Sequence, residues 1–366
     1  MLRSLRIATT FKEGTANARY RAEIPLRELA RRGHSVVRPS ADGSFAGLVQ
    51  RERPPWDVAL VQQATGDDDL AAVRRLRELG VAVVWDSDDD VRGIPRNSPA
   101  YHRAGGRRGV RRLFERTVEI ARTAHLMTTP SAHLAELYRA EGARHVAVIE
   151  NYLPNDAPGR PRTRHAGVVV GVVGALEHER DLEQLRIGAV LKELLARQPD
   201  VRVVAIGCGL GFDDPRCAWH RVVPPERLEQ LTRGFDIGLA PLADGTLARS
   251  RSNVKLKEYA AGGAAWLASP IGPYVALGEE QGGQLVADGD WLAAIERLVV
   301  DPRRRVELAT RARGWAARQT ISSGARVWER ELRAAIERAR DERRVDTRVS
   351  RAGRRRSPRH ALQPPI

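Results

Sequence analysis

The sequence predicts an α/β protein built from two doubly wound domains in tandem, facing each other across a central cleft. Three observations predict it. The chain has 366 residues, enough for two domains of ordinary size. Short runs rich in Val, Ile and Ala alternate with amphipathic stretches, and the whole scheme occurs twice. A segment rich in proline, glycine and asparagine, 151–161, separates the two series.

In the first series strands are expected at 6–9, 35–37, 57–62, 81–86, 126–129 and 145–149, with helices between them at 17–32, 69–79, 109–123 and 131–140. The second series repeats the plan. Its strands are expected at 168–173, 201–207, 219–223, 237–240 and 264–268, and its helices at 181–198, 225–234, 253–261 and 290–300. Strands this apolar read as buried on both faces, and their alternation with helices implies parallel sheets. The division is therefore a first domain over 1–155 and a second over 156–320. A last helix follows at 321–340, with Val327, Leu332 and Ile336 on one side. Residues 341–366 are arginine-rich and carry no core pattern, so a disordered basic tail is expected.

Composition bounds the function. Hydrophobic residues make up 42% of the chain, which supports formed cores, and no apolar run approaches the ~20 residues of a membrane span. Met1 to Ile7 runs directly into a strand without the apolar region of a signal peptide. The two cysteines match no zinc spacing. A cytoplasmic protein is expected. The formal net charge is +15, concentrated at Arg103, Arg107, Arg108, Arg111, Arg112 and Arg116 and again in the tail. Few aromatics interleave with these arginines and no nucleic-acid motif accompanies them, so nucleic acid is not the expected partner. An anionic membrane surface met peripherally, or a lipid-diphosphate acceptor, suits them as well as a plain solvated face does.

The most informative stretch lies in the second series. A strand over 237–240 leads through a loop to Ser252-Asn253-Val254-Lys255-Leu256-Lys257-Glu258-Tyr259, and glycines close that helix. A helix N-terminus offers free N–H groups to a diphosphate, and Lys255 adds a cation on its first turn. Glu258 can accept hydrogen bonds from ribose or sugar hydroxyls. An i,i+3 pair between Lys255 and Glu258 is the plain structural alternative. Lys257 points elsewhere on the helix and reads as surface. The block from Ser252 to Gly263, with Ser269-Pro270-Ile271-Gly272-Pro273-Tyr274 after it, resembles the donor site of two-domain GT-B glycosyltransferases, close to family 4 (group 1), most of all its bacterial members.

That resemblance implies a nucleotide-diphosphate sugar as donor, no cofactor, no required metal, retention of anomeric configuration, and an acceptor that is a glycan, a lipid-linked molecule or a small molecule. It gives Glu258 the ribose. It puts Ser250 where the family has a second glutamate on the donor sugar, and it makes Ser252, Asn253 and Lys255 donor-binding. At the first strand–helix junction of the second domain, Gly174, His178 and Asp181 match the family pattern, with Asp181 readable also as a helix N-cap. Arg180 falls at a diphosphate-binding position and joins Lys255 as a catalytic candidate. Val222-Val223-Pro224 resembles the strand end beside the nucleobase. The absence of GxGxxG here weighs against a dinucleotide enzyme.

In the first domain, Trp85-Asp86-Ser87-Asp88-Asp89-Asp90 sets four carboxylates at a strand end. Hard cations take such oxygen ligands, and the run imitates the metal-binding motif of GT-A enzymes, but the second complete α/β series argues against GT-A. Asp86, Asp88 and Asp89 are therefore expected at the acceptor side of the cleft, or in a solvated acidic turn. A Tyr20-Arg21 pair opens the first helix, and the resemblance points Arg21 at the cleft. Two further classes stay open: a GT-B sugar-nucleotide enzyme of epimerase type, and a catalytically silent binding protein, the latter suggested by Ser250 and by Ala265.

Overall fold

The computed structural model describes residues 3–39, 46–49, 54–63, 65–175 and 178–355. Two six-stranded sheets form, and every strand pairing within them is parallel. The first holds β1 (Arg6–Thr10), β2 (Ser35–Val37), β3 (Val58–Gln62), β4 (Ala82–Asp86), β5 (Leu126–Thr129) and β6 (Val146–Val148), in the order β2-β1-β3-β4-β5-β6. The second holds β7 (Val168–Val173), β8 (Val201–Ile206), β9 (Cys217–His220), β10 (Ile237–Ala240), β11 (Ala265–Ala268) and β12 (Gly283–Leu285), in the order β12-β11-β10-β7-β8-β9. Strand order reverses between β1 and β3 in one sheet and between β7 and β10 in the other. Ligands of such sheets bind beyond the carboxyl ends of the strands at these reversal points.

The strands behave as their composition dictates. Val58, Leu60, Val83, Val84 and Trp85 are fully buried, as are Val170, Leu239 and Leu267. Each sheet separates two apolar clusters, one on each face. The fold is thus the tandem Rossmann-like arrangement, GT-B, that the sequence predicts.

Several elements differ from expectation. The first helix is broken into Ala16–Ala18, a π-helical turn Arg19–Glu23, and Ile24–Arg31. The stretch 181–198 is two helices, Glu179–Gln184 and Ile187–Arg197, joined at Arg186 in the left-handed region (φ 52°). The β9 strand lies earlier than 219–223, which leaves Val222 and Val223 in a loop. The strand β12 and the helix Pro302–Ala317 have no counterpart in the sequence reading.

The last helix, Ile321–Arg355, runs well past Asp341, where a disordered tail was expected; residues 356–366 lie outside the described residues. Its Trp328, Leu332, Ala335 and Ile336 are buried among Ile7, Leu29 and Val84 of the first domain. The chain therefore passes between the domains twice, side by side. Leu153 N donates to Gln319 O at 2.9 Å, and Ile321 N donates to Leu153 O at 2.8 Å. Among the described residues, no helix is long and apolar enough to cross a membrane.

Candidate donor and acceptor site

A cleft of about 790 Å³ lies between the carboxyl ends of the two sheets, lined by residues of both domains. Its second-domain wall begins at the turn after β7. Gly174 lies so close to the β8 turn that a Cβ there would meet Cys208 Sγ at 2.8 Å, and Gly174 N donates to Ile206 O. His178 follows. Its Nδ1 accepts from Ala175 N at 3.1 Å, so the proton of the neutral ring sits on Nε2. Burial and then the charges of Lys255 and Arg251 hold the imidazole well below its ordinary pKa, hence neutral.

The helix Val254–Gly262 points its N-terminus into the cleft, and no side chain caps it. Leu256 N donates to Asn253 O at 3.1 Å, so the N–H groups left for an anion are those of Val254 and Lys255. Ser252, Val254 and Lys255 line the cavity there. Among the described residues Lys255 forms no hydrogen bond or ion pair. Burial, reinforced by the like charge of Arg251, pushes its ammonium pKa down to about 8. Asn253 occupies the cap position without capping the helix and does not line the cavity. Ser252 Oγ accepts from Asn151 Nδ2 of the interdomain segment at 3.0 Å.

Glu258 lines the cleft one turn further on and accepts a hydrogen bond from the Tyr20 hydroxyl of the first domain. Burial raises the carboxyl pKa, against the lowering effect of the Tyr20 bond. The i,i+3 pair with Lys255 does not form.

Two more expected donor residues stand elsewhere. Arg180 is exposed on the Glu179–Gln184 helix and does not line the cavity; the helix carries it outward. Arg251 is the basic residue that lies beside Lys255, and it reaches Asp89 of the first domain at 4.0 Å. Nothing in the sequence separates Arg251 from Arg249, which flanks Ser250 on the other side; in the fold Arg249 is spent on Asp244. Ser250 is fully buried. Its Oγ donates to Leu247 O at 2.8 Å and accepts from Asp90 N at 3.3 Å, so it joins the domains rather than facing a sugar.

Lys257, read as surface, is also fully buried: Nζ donates to Glu150 Oε2 at 2.7 Å and to Asn151 O at 2.9 Å. Asp181 does not cap a helix. Its carboxylate accepts from Ala243 N at 3.2 Å and fixes the loop after β10.

On the first-domain wall, Asp88 and Asp89 face the cleft, and Arg21 and Asp86 do not. Arg21 and Asp86 form a fully buried ion pair at 2.7 Å, with Thr128 Oγ1 on the carboxylate at 2.6 Å. Asp90 is consumed by Arg92 at 2.7 Å. Asp88 Oδ1 accepts from Gln63 Nε2 at 2.5 Å. Gln63 itself holds the left-handed conformation (φ 52°), a costly backbone state for this residue type. Burial, then the charges of Asp89 and Asp86, raises the Asp88 carboxyl well above the usual range. Asp89 accepts from Asn17 Nδ2 at 3.4 Å. Among the described residues no cluster of His, Cys, Asp or Glu is arranged to hold a metal ion.

No family model and no curated protein sequence matches the chain. Solved structures do match in fold. HepE of Anabaena in complex with UDP-glucose aligns with a TM-score of 0.61 at 15% identity, over 90% of this chain and 100% of that one. An alpha-glucosyltransferase in complex with UDP-glucose and DNA containing an abasic site gives 0.63 at 11% identity, over 90% and 99%. A UDP-forming trehalose-phosphate synthase from Burkholderia xenovorans gives 0.53 at 16% identity, over 76% and 74%. At these identities the likeness is one of architecture: two Rossmann-like domains about a cleft.

Proposed function

We propose that the protein is a glycosyltransferase that moves a sugar from a nucleotide-diphosphate sugar to an acceptor held by the first domain. One observation carries the reading. An uncapped helix N-terminus, a lysine without an ion-pair partner among the described residues and a second cation, Arg251, converge where the strand order of the second sheet reverses. That is the chemistry a diphosphate requires. The structural neighbours bound to UDP-glucose support the same reading.

In this mechanism the glycosidic bond breaks as charge grows on the departing diphosphate. Lys255, Arg251, the helix N–H groups and the Nε2–H of His178 stabilise that charge in a site shielded from water. Glu258 takes the ribose. Asp88 and Asp89 bind hydroxyls of the acceptor, whether glycan, lipid-linked or small molecule. Retention of configuration and independence of metal are what the family 4 resemblance implies, and the leaving-group contacts supply charge stabilisation without a metal ion. A cytoplasmic enzyme that touches an anionic membrane peripherally suits the exposed Arg107, Arg108, Arg111 and Arg112. They lie on the Gly106–Thr123 helix, whose Leu113 lines the cleft.

A second reading has its own observation. With Ser250 diverted to the domain junction, the sugar contact expected of it is missing, which suits a donor-binding protein without turnover.

The test is a thermal-shift screen against UDP-, GDP- and dTDP-sugars, followed by product analysis with and without EDTA. One donor class is expected to raise the melting temperature, because ligand binds only the folded state. Acceptor-dependent consumption unaffected by EDTA is expected next. Binding without consumption selects the silent reading, epimerised donor without acceptor selects an epimerase, and no shift with any donor defeats all three.

A further inference from the structure

The π-helical turn Arg19–Glu23 sends two consecutive side chains across the cleft onto the nucleotide-binding domain. Arg19 Nη2 meets Glu229 Oε1 at 2.5 Å on the helix Pro225–Thr232. The Tyr20 hydroxyl donates to Glu258 Oε1 on the helix Val254–Gly262. Arg21, next in sequence, turns back into the first domain to Asp86. A π-turn of this kind is rare and gathers at functional sites. Tyr20 is 6% exposed and lines the cleft beside Glu258, Glu229 and Leu228.

We infer that Tyr20 is a positioning residue for the nucleoside: it fixes one oxygen of Glu258 and leaves Oε2 presented to the ribose of the donor. The inference rests on the donor reading proposed above. A carboxylate accepts about four hydrogen bonds, so the phenol and a ribose hydroxyl can share it without competing. No other hydrogen bond reaches the Glu258 carboxylate among the described residues, so Tyr20 is what sets which oxygen it presents. Burial and the adjacent carboxylate keep the phenol protonated, and it stays a donor throughout the working range of pH. The ribose site is thereby completed by the opposite domain, and nucleoside capture and approach of the domains become one event.

The test uses the full chain as wild type and as Tyr20→Phe, which keeps the ring and removes only the hydroxyl. UDP, GDP and dTDP are titrated calorimetrically, and the best binder is compared with its 2′,3′-dideoxy counterpart. Wild type should prefer the hydroxylated nucleotide. Tyr20→Phe should bind that nucleotide about tenfold more weakly, as loss of one hydrogen bond to a charged group allows. It should bind the dideoxy form as wild type does, so that the preference collapses. Tyr20→Leu gives the same collapse if the effect belongs to the hydroxyl rather than to the ring. A merely structural tyrosine would weaken both ligands equally, and that result overturns the inference. So does an undiminished preference, or tighter binding, in Tyr20→Phe. Failure of wild type to bind any of the three diphosphates is a different result; it removes the donor reading itself, and the role of Tyr20 falls with it.

Discussion

At the scale of single residues, the site depends on a cation kept unpaired. Lys255 lies in a cavity wall beside Arg251, and its pKa falls to about 8 because burial and like charge both disfavour the ammonium. Lys255→Ala should therefore lower kcat by about 10²–10³, the usual cost of losing a donor aimed at developing negative charge. Its unfolding midpoint should not fall, since a buried cation without a partner is removed. The sign of the pH effect follows from the same shift. Between about 8 and 10.5 the folded chain binds fewer protons than the unfolded one, so the free protein gains stability as pH rises through that window. Donor capture as proposed runs the other way, because it uses the ammonium. The profile of kcat/KM for the donor should decline above about pH 8, and Lys255→Arg should abolish that limb. A flat profile in wild type would remove Lys255 from the phosphate. That Lys255 and Glu258 share one face was legible in the sequence because helical spacing sets both on the same side, and both line the cleft. The burial of Lys257 was not, because the same spacing says only that it faces away; what covers the far face is the interdomain segment at Glu150 and Asn151, remote in sequence.

At the scale of elements, apolar runs declared most strands, whereas β12 and the helix Pro302–Ala317 escaped notice. Gly283–Leu285 contains no β-branched residue, and Pro-Arg-Arg-Arg opens the helix with charge rather than with an apolar stripe. The end of the last helix was hidden likewise: residues 341–345 are exposed, and what ties them to the first domain is a polar contact, Glu342 to Arg77 at 2.6 Å. Arg21 shows why contact partners exceed what a motif can tell. Its Nε and Nη2 bind Asp86 at the end of β4, its Nη1 reaches Asn151 Oδ1 at 3.0 Å, and its guanidinium stacks 5.2 Å from the Trp328 ring on the last helix. One side chain thus joins the first helical region, the sheet edge, the interdomain segment and the returning helix. Arg21→Ala leaves Asp86 buried and unpaired, so chemical denaturation should show a loss of about 3–5 kcal/mol. A loss under about 1 kcal/mol would mean that water or Thr128 replaces the guanidinium, and that the four elements do not depend on it.

At the scale of the whole molecule, the proposed function requires that two separately packed domains meet at a set distance. The junction at the cleft is made by close backbone approach as much as by charge. Gly93, at the end of the short 3-10 turn Val91–Gly93, lies against Leu247 of the second domain. A Cβ at that glycine would stand 2.7 Å from Leu247 N and 2.8 Å from Leu247 Cβ. A backbone nitrogen cannot swing aside as a side-chain tip can, so Gly93→Ala must push the domains apart or shift the Thr246–Ser250 helix. A local shift is resisted from behind, because Gly272 of the same domain packs so closely on that helix that a Cβ there would stand 2.8 Å from Ala248 O and 3.0 Å from Arg249 Cα, whereas the bonds from Ser250 to Asp90 and Ser131 cross the junction and stretch either way. The domains should therefore separate as bodies, carrying Asp89 from Arg251 and Tyr20 from Glu258. Each core stays intact, so secondary structure by circular dichroism should be unchanged. Small-angle scattering should give a larger radius of gyration, and turnover should fall at least about tenfold, since small misplacements of reacting groups are costly. Gly93→Val, with a larger side chain at the same point, should exaggerate both effects. Unaltered scattering together with wild-type turnover would show that the 246–250 helix yields on its own, and that the spacing of the domains is set elsewhere, at the paired crossings of Leu153 and Ile321.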